Sequence, residues 1–285
     1  MPLNLESVGS ASTPVTTEWG STDALLYAIA VGAGQDPAQE LSVTTENTAD
    51  VVQQTIPTFA ALLGQRVSRP DIGPYDRAML VHAEQQITLP RPLPVAGRVE
   101  LVSRVDQILD KGSGALVRSS VTGSHPDTGE PMFVSRSAAF IRGEGGFGGD
   151  RGDAGRAPAP DREPDAAITQ RTRPEQALLY RLTGDRNPLH SDPGFARRAG
   201  FERPILHGMC TLGFATRAVV EAFCAGDPDL LAEIGGRFTA PVMPGDTLVT
   251  SIWIDGDRAV FRTARSDGAV VIDRGHARRR GDTGR

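Results

Sequence analysis

The densest run of proton-handling side chains is Tyr180-Arg-Leu-Thr-Gly-Asp-Arg-Asn-Pro-Leu-His190. It sets a carboxylate at Asp185, an amide at Asn187 and an imidazole at His190. Gly184 and the Asn187–Pro188 pair favour turns on either side, so one compact loop can bring the three together. A carboxylate and an imidazole facing one water can each hold one of its hydrogens. Between them they can take a proton from the attacking oxygen and deliver one to carbon. Asn187 would hold the water or one of the two groups in place. The residues leave open whether Asp185 or His190 takes the proton.

Further on, Pro204-Ile-Leu-His-Gly208 opens the clearest helical stretch, from Gly208 to about Ala225. Met209, Leu212, Thr216, Val219, Val220 and Phe223 share a face, and Gly226 stops the run. The first N–H groups of a helix lack internal partners and sit at its positive end. Gly208 has no side chain to block approach, so its N–H could bond a thioester carbonyl and stabilise the enolate formed when water adds at C3. The apolar character all round this helix predicts burial against a sheet. A shorter helix should begin with Asp192 as N-cap and Pro193 at its first position, and end at Gly200.

The elements that must hold these groups fall into two halves. Alternating apolar and polar residues predict strands at 81–89, 98–106, 115–124 and 133–142, then at 237–240, 247–255, 258–266 and 269–277. The Pro/Gly turns 92–99 and 240–248 precede strands in each half and lie about half a chain apart, a spacing that suggests duplication. Between the halves, 143–165 is nearly all Gly, Asp, Arg, Pro and Ala. It has too little apolar surface to order itself as an element and reads as a linker. The fold class expected is α+β.

Composition narrows the function. The 285 residues are 39% hydrophobic, enough for a sizeable core, and the net charge of −5 argues against nucleic-acid or anionic-membrane partners. No apolar run approaches the ~18 residues of a membrane span. The first residues lack the basic start and apolar run of a signal peptide. Cys210 and Cys224 lie on one helix, ~21 Å apart, beyond disulfide reach. A reduced, cytoplasmic protein is expected. No Cys/His spacing suggests a metal, and no cofactor is expected. GEGGFGG lacks the strand before and helix after that a nucleotide loop needs. Lys111 is the only lysine in an arginine-using chain. It would ordinarily be a solvated turn residue, but a compact ammonium also suits a phosphate.

The run Y-x-L-T-G-D-x-N-P-L-H-x5-A, from Tyr180 to Ala196, resembles the signature of MaoC-like dehydratases and R-specific enoyl-CoA hydratases of the hydratase 2 type. The likeness continues through Ala199-Gly-Phe and Pro204-Ile-Leu-His-Gly-Met-Cys-Thr. It reaches the first half at Leu26–Gly32, Pro57-Thr-Phe59, His82–Gln85, Pro92-Leu-Pro94, Asp110-Lys-Gly112 and Gly145–Gly148. The resemblance implies a double hotdog, two curved antiparallel sheets each wrapping a helix. It divides the chain into an acyl-binding half (1–145), a linker (146–165) and a catalytic half (166–285). It implies hydration of a trans-2-enoyl-CoA to the (3R)-3-hydroxyacyl-CoA, or the reverse, with an acyl-CoA or acyl-carrier-protein thioester as partner and a homodimer as assembly. Asp185, His190, Asn187 and Gly208 fall on the catalytic positions. His82, Ala83, Lys111, Arg186, Pro188, Leu189 and Phe238 fall among those meeting the substrate. The family usually has Gly where this chain has Ala83, and the extra methyl group would narrow the CoA passage. Residues 27–32 and 57–63 are small and apolar enough to line an acyl tunnel.

Two other readings compete. A thioesterase of the same shape would not need the Asp-x-Asn-Pro-x-His loop, and a non-catalytic acyl-CoA-binding protein would be expected to lack Asp185 or His190. His207 reads as a structural residue at the helix start, His125 and His276 as surface residues, and Cys210 as core.

Overall fold

The computed structural model describes residues 3–152 and 156–281. Ten antiparallel strands run as β1 (Val15–Trp19), β2 (Leu80–Thr88), β3 (Gly97–Asp110), β4 (Gly114–Ser124), β5 (Pro131–Arg142), β6 (Ala166–Arg171), β7 (Leu231–Phe238), β8 (Thr247–Asp255), β9 (Arg258–Arg265) and β10 (Val270–Arg279). The helices are α1 (Ser21–Ala30), α2 (Leu41–Thr44), α3 (Phe59–Leu63), α4 (Gln176–Tyr180), α5 (Pro193–Arg198) and α6 (Gly208–Phe223).

The strands form one sheet in the order β1-β3-β4-β5-β2-β7-β10-β9-β8-β6. Read from either edge inward, each half has its first strand outermost, then its third, fourth and fifth, then its second. The duplication legible in the Pro/Gly turns is therefore a duplication of topology. Both turns do the same work, feeding the long strands β3 and β8, each of which pairs with an edge strand. The two five-stranded halves fuse through β2 and β7, where Glu84 faces Arg237 and Ile87 faces Ile234.

Strand periodicity explains the inner face. Along β3, Val99, Leu101, Ser103 and Val105 are buried and alternate with Arg98, Glu100, Arg104 and Asp106. A register shift between Val105 and Gln107 then brings Ile108 and Leu109 into burial. Helix α6 is buried on nearly all sides and lies on the second-half strands, as its composition predicts. Gly213 on α6 touches α1's end so closely that a Cβ there would sit 2.4 Å from Val31 Cγ1. The first half has no helix of that length. Its sheet is covered by α3 and the turn Gly64–Arg66, and this economy leaves room for a cavity.

Three expectations need correcting. Strand β7 begins at Leu231, not 237, and the glycines that hid it are what the junction needs. A Cβ on Gly235 would lie 2.6 Å from the Gln85 carbonyl of β2. His276 is not a surface residue: β10 runs between β7 and β9, and the His276 side chain is 14% exposed, 3.6 Å from Glu233. Residues 27–32 form core, with Tyr27, Ala28, Ala30 and Val31 fully buried, so they line no tunnel. Strands β1 and β6 and helix α1 lie outside the elements that periodicity predicts.

The described parts of the glycine-rich segment, 143–152 and 156–165, carry no helix or strand and are anchored at both ends. Asp110 Oδ1 and Oδ2 accept from the Gly146 and Gly148 amides at 2.8 and 2.7 Å, bonds that hold its carboxyl below the usual range. At the far end Trp253 Nε1 donates to the Arg162 carbonyl at 2.8 Å, and Arg162 pairs with Asp165 at 2.9 Å.

Candidate active site

The reactive loop is built by its own side chains. Asp185 Oδ1 accepts from the Asn187 amide at 3.2 Å, and Asn187 Oδ1 accepts from the Leu189 amide at 3.0 Å, capping the turn Pro188–His190. Gly184 takes a φ of 133°, open to glycine but strained for other residues. The Asn187 carbonyl oxygen is thus spent on the turn, which leaves its amide nitrogen for a ligand.

His190 is 8% exposed, and its Nδ1 lies 2.9 Å from the Ile205 carbonyl oxygen. A carbonyl only accepts, so Nδ1 carries the hydrogen and Nε2 keeps its lone pair. Nε2 has no hydrogen-bond partner among the described residues. Burial holds the His190 imidazolium below its ordinary pKa, against the opposing effects of the Ile205 bond and the Asp185 charge. The ring is therefore a neutral acceptor near pH 7.

His207 joins the two. Its Nε2–H donates to the Asp185 main-chain carbonyl at 3.3 Å, and its ring stacks on His190 with centroids 3.7 Å apart. On the other side it meets Tyr180 at 4.6 Å. Burial, then the neighbouring His190, pushes its pKa down to about 2. His207 also immediately precedes α6. Helix α6 begins its internal bonding with Thr211 donating to the His207 carbonyl, so the Gly208, Met209 and Cys210 amides have no helical partner. The Phe238 ring lies over Gly208, 3.5 Å from where a Cβ would stand.

One cavity of about 480 Å³ is lined by Asp185, Asn187, Leu189, His190, Gly208 and, from the first half, His82. Phe238 completes the wall, its ring 4.9 Å from that of His82. Ala83 is the extra residue of a β-bulge between His82 and Glu84. It packs instead with Leu109, Leu116, Ala138 and Phe140, so its methyl group does not narrow this cavity. The bulge lets His82 Nε2–H reach the Glu84 carbonyl at 3.1 Å, and burial followed by the Arg69 charge pushes its pKa to about 4. Lys111, Arg186 and Pro188 are outside the lining too: Arg186 and Pro188 are exposed, and the Lys111 ammonium is held by the Arg151 carbonyl. From the first half the cavity is also lined by Ala61, Gly64 and Val121, so of the residues 57–63 expected to line an acyl tunnel Ala61 faces this cavity.

Sequence reasoning missed Arg69, Tyr75 and Arg142, which also face this cavity. They sit in a Pro-rich loop and at a strand end, where no periodicity marks them. It also gave His207 only a structural role. The signal was its place directly before Gly208.

The chain is similar in sequence and structure to proteins of one family. A MaoC like domain model matches residues 156–274, and the model of the MFE-2 hydratase 2 N-terminal domain matches residues 18–143. The 3-hydroxyacyl-thioester dehydratase Y of Mycobacterium tuberculosis is 46% identical across 96% of this chain and 98% of its own. The peroxisomal enoyl-CoA hydratase 2 of Arabidopsis thaliana is 39% identical across 86% and 85%. The crystal structure of a MaoC-like dehydratase from Phytophthora capsici superposes with a TM-score of 0.87 at 30% identity, covering 98% of both chains. This chain belongs to the MaoC-like hydratase 2 family, and its fold is the double hotdog of that family.

Proposed function

We propose that this protein catalyses the reversible, R-specific addition of water to the double bond of a trans-2-enoyl-CoA, acting on fatty-acyl thioesters as a hydro-lyase. The observation that carries this is the 2.9 Å contact of His190 Nδ1 with the Ile205 carbonyl, which leaves Nε2 as the acceptor, in the cavity that also holds Asp185 and the Gly208 amide, which has no helical partner. A water held between His190 Nε2 and the Asp185 carboxylate attacks C3 of the enoyl group. As the C3–O bond forms, the electrons of the double bond move toward the thioester carbonyl, whose oxygen is held by the Gly208 N–H at the positive end of α6. The pair removes one proton from the water and returns one to C2, so no net proton is consumed. Asn187, through its free amide nitrogen, and His82 and Phe238, through their ring surfaces, hold the substrate around this centre. The free, buried thiols of Cys210 and Cys224 suit a reducing compartment and support a cytoplasmic enzyme.

The test is incubation with crotonyl-CoA, following loss of the enoyl-thioester absorbance and the configuration of the 3-hydroxy product. Formation of the (3R) product supports the reading. Release of free CoA thiol without hydration would point to a thioesterase and sink it.

A further inference from the structure

Two guanidinium groups and one carboxylate face the cavity: Arg69, Arg142 and Asp185. Asp185 accepts from the Asn187 main-chain amide through Oδ1 and is assigned above to the acid–base pair. Arg142 makes one long contact, Nη1 to the Ala199 carbonyl at 3.4 Å. Arg69 forms no hydrogen bond or ion pair with any described residue, although other arginines of this chain, such as Arg217 with Glu40 and Arg265 with Asp267, are matched to carboxylates. Arg69 lines the cavity with its side chain open to solvent. Tyr75 and Asp185 act on it electrostatically, and it in turn disfavours charge on His82. A fork of five N–H donors without a protein acceptor, inside a cavity with an excess of positive charge, is matched to an anion brought by the ligand.

We propose that Arg69 is the anchor for a phosphate group of the substrate's carrier, with Arg142 contributing the second positive charge. Lys111, the cation expected for that task, is turned to the Arg151 carbonyl and outside the cavity. The inference rests on the hydratase reading of the same site. It adds that affinity for the carrier comes from a cation on the loop before β2, in the first half, while the reacting groups come from the second half. An acidic acyl chain would use the same guanidinium chemistry, so the test separates the two sources.

The experiment compares the parent with Arg69→Ala and Arg69→Gln in two measurements. One is calorimetric binding of CoA itself. The other is turnover of crotonyl-CoA against crotonyl-pantetheine, which has the same reacting end and no phosphate. The expected result is CoA binding weakened about 10-fold or more, KM for crotonyl-CoA raised by a similar factor with kcat little changed, and KM for crotonyl-pantetheine unmoved. Equal CoA binding by parent and variants, or no binding by the parent, overturns the proposal. So does an equal rise in KM for both thioesters, which would put Arg69 at the reacting end or on the acyl chain. If the parent binds CoA and the variants bind it less, but neither thioester is hydrated, the anchor stands and the hydratase reading fails.

Discussion

The rings of His190 and His207 are stacked at 29° with centroids 3.7 Å apart, and the same His207 ring donates its Nε2–H to the main-chain carbonyl of Asp185. One imidazole therefore touches both members of the proposed acid–base pair and stands next to the amide that opens α6. Two substitutions separate its parts. His207→Gln keeps a donor near the Nε2 position and loses the ring; His207→Phe keeps the ring and loses the donor. If the tie to Asp185 orients the carboxylate, His207→Phe should lower kcat by about 10-fold or more and His207→Gln by less, with KM nearly constant in both. Equal losses in the two variants would assign the effect to packing alone.

The pair itself gives the largest expected effect. Asp185→Asn and His190→Gln should each lower turnover by ~10²–10⁴ while leaving the thermal unfolding transition cooperative. Near-normal turnover in either variant would remove that residue from the chemistry.

The pH profile follows from the direction of the His190 shift. Burial lowers its pKa from the ordinary 6.5, and the base must be neutral to accept a proton. Activity should therefore persist as pH falls through the ordinary histidine range and decline only below it. A kcat/KM profile that has already halved by pH 6.5 would contradict the assignment of His190 as the proton acceptor.

Stability should carry a histidine signature at mildly acid pH. His207 is held down to about 2, and His82 and His276 to about 4, each chiefly by burial. Between pH 6.5 and 4 the unfolded chain binds protons at these rings and the folded protein does not. Stability then falls with falling pH, by up to about 1.4 kcal/mol per pH unit for each ring. Asp165, held at about 2 by Arg162, adds to the loss only below the ordinary carboxylate pKa, so the upper window belongs to the histidines. Urea midpoints measured from pH 7 to 4.5 should drop steadily. The slope should be shallower in His276→Gln, which is remote from the reactive loop.

Ala61 gives a chain-length test. It stands on α3 and lines the cavity with Gly64 and Val121, all first-half residues, whereas the loop of Asp185 and His190 belongs to the second half. Ala61→Leu should lower turnover of long enoyl-CoAs about 10-fold while that of crotonyl-CoA stays within a factor of about 2. A loss on crotonyl-CoA as deep as on long chains would mean that this end of the cavity is not where the acyl chain lies.

Much of this was legible in local pattern. The long central strands of each half and α6 follow from periodicity, because burial on one face leaves an apolar repeat. The loop is legible because Asx turns and a capped Pro188 turn are local chemistry: Asp185 and Asn187 are set by bonds spanning two residues, whereas the His190 ring is fixed by the more distant Ile205 carbonyl. Gly208 was legible as the first residue of a helix. What the sequence alone left out depends on contacts between residues far apart in the chain. The start of β7 was hidden because Gly235 looks like a strand breaker until the Gln85 carbonyl of β2 comes within contact of it. The edge strands β1 and β6 are short, and each gains its partner, β3 or β8, from a distant part of the chain. Ala83 turned out to be a bulge residue facing away from the cavity, and Lys111 a loop residue outside it, because register and loop docking are decided by pairing with β5 and by the glycine-rich segment. His207 and Arg69 were the least visible. A stacked ring and an unpaired guanidinium have no sequence period, and their roles exist only once the two halves of the sheet close around one cavity.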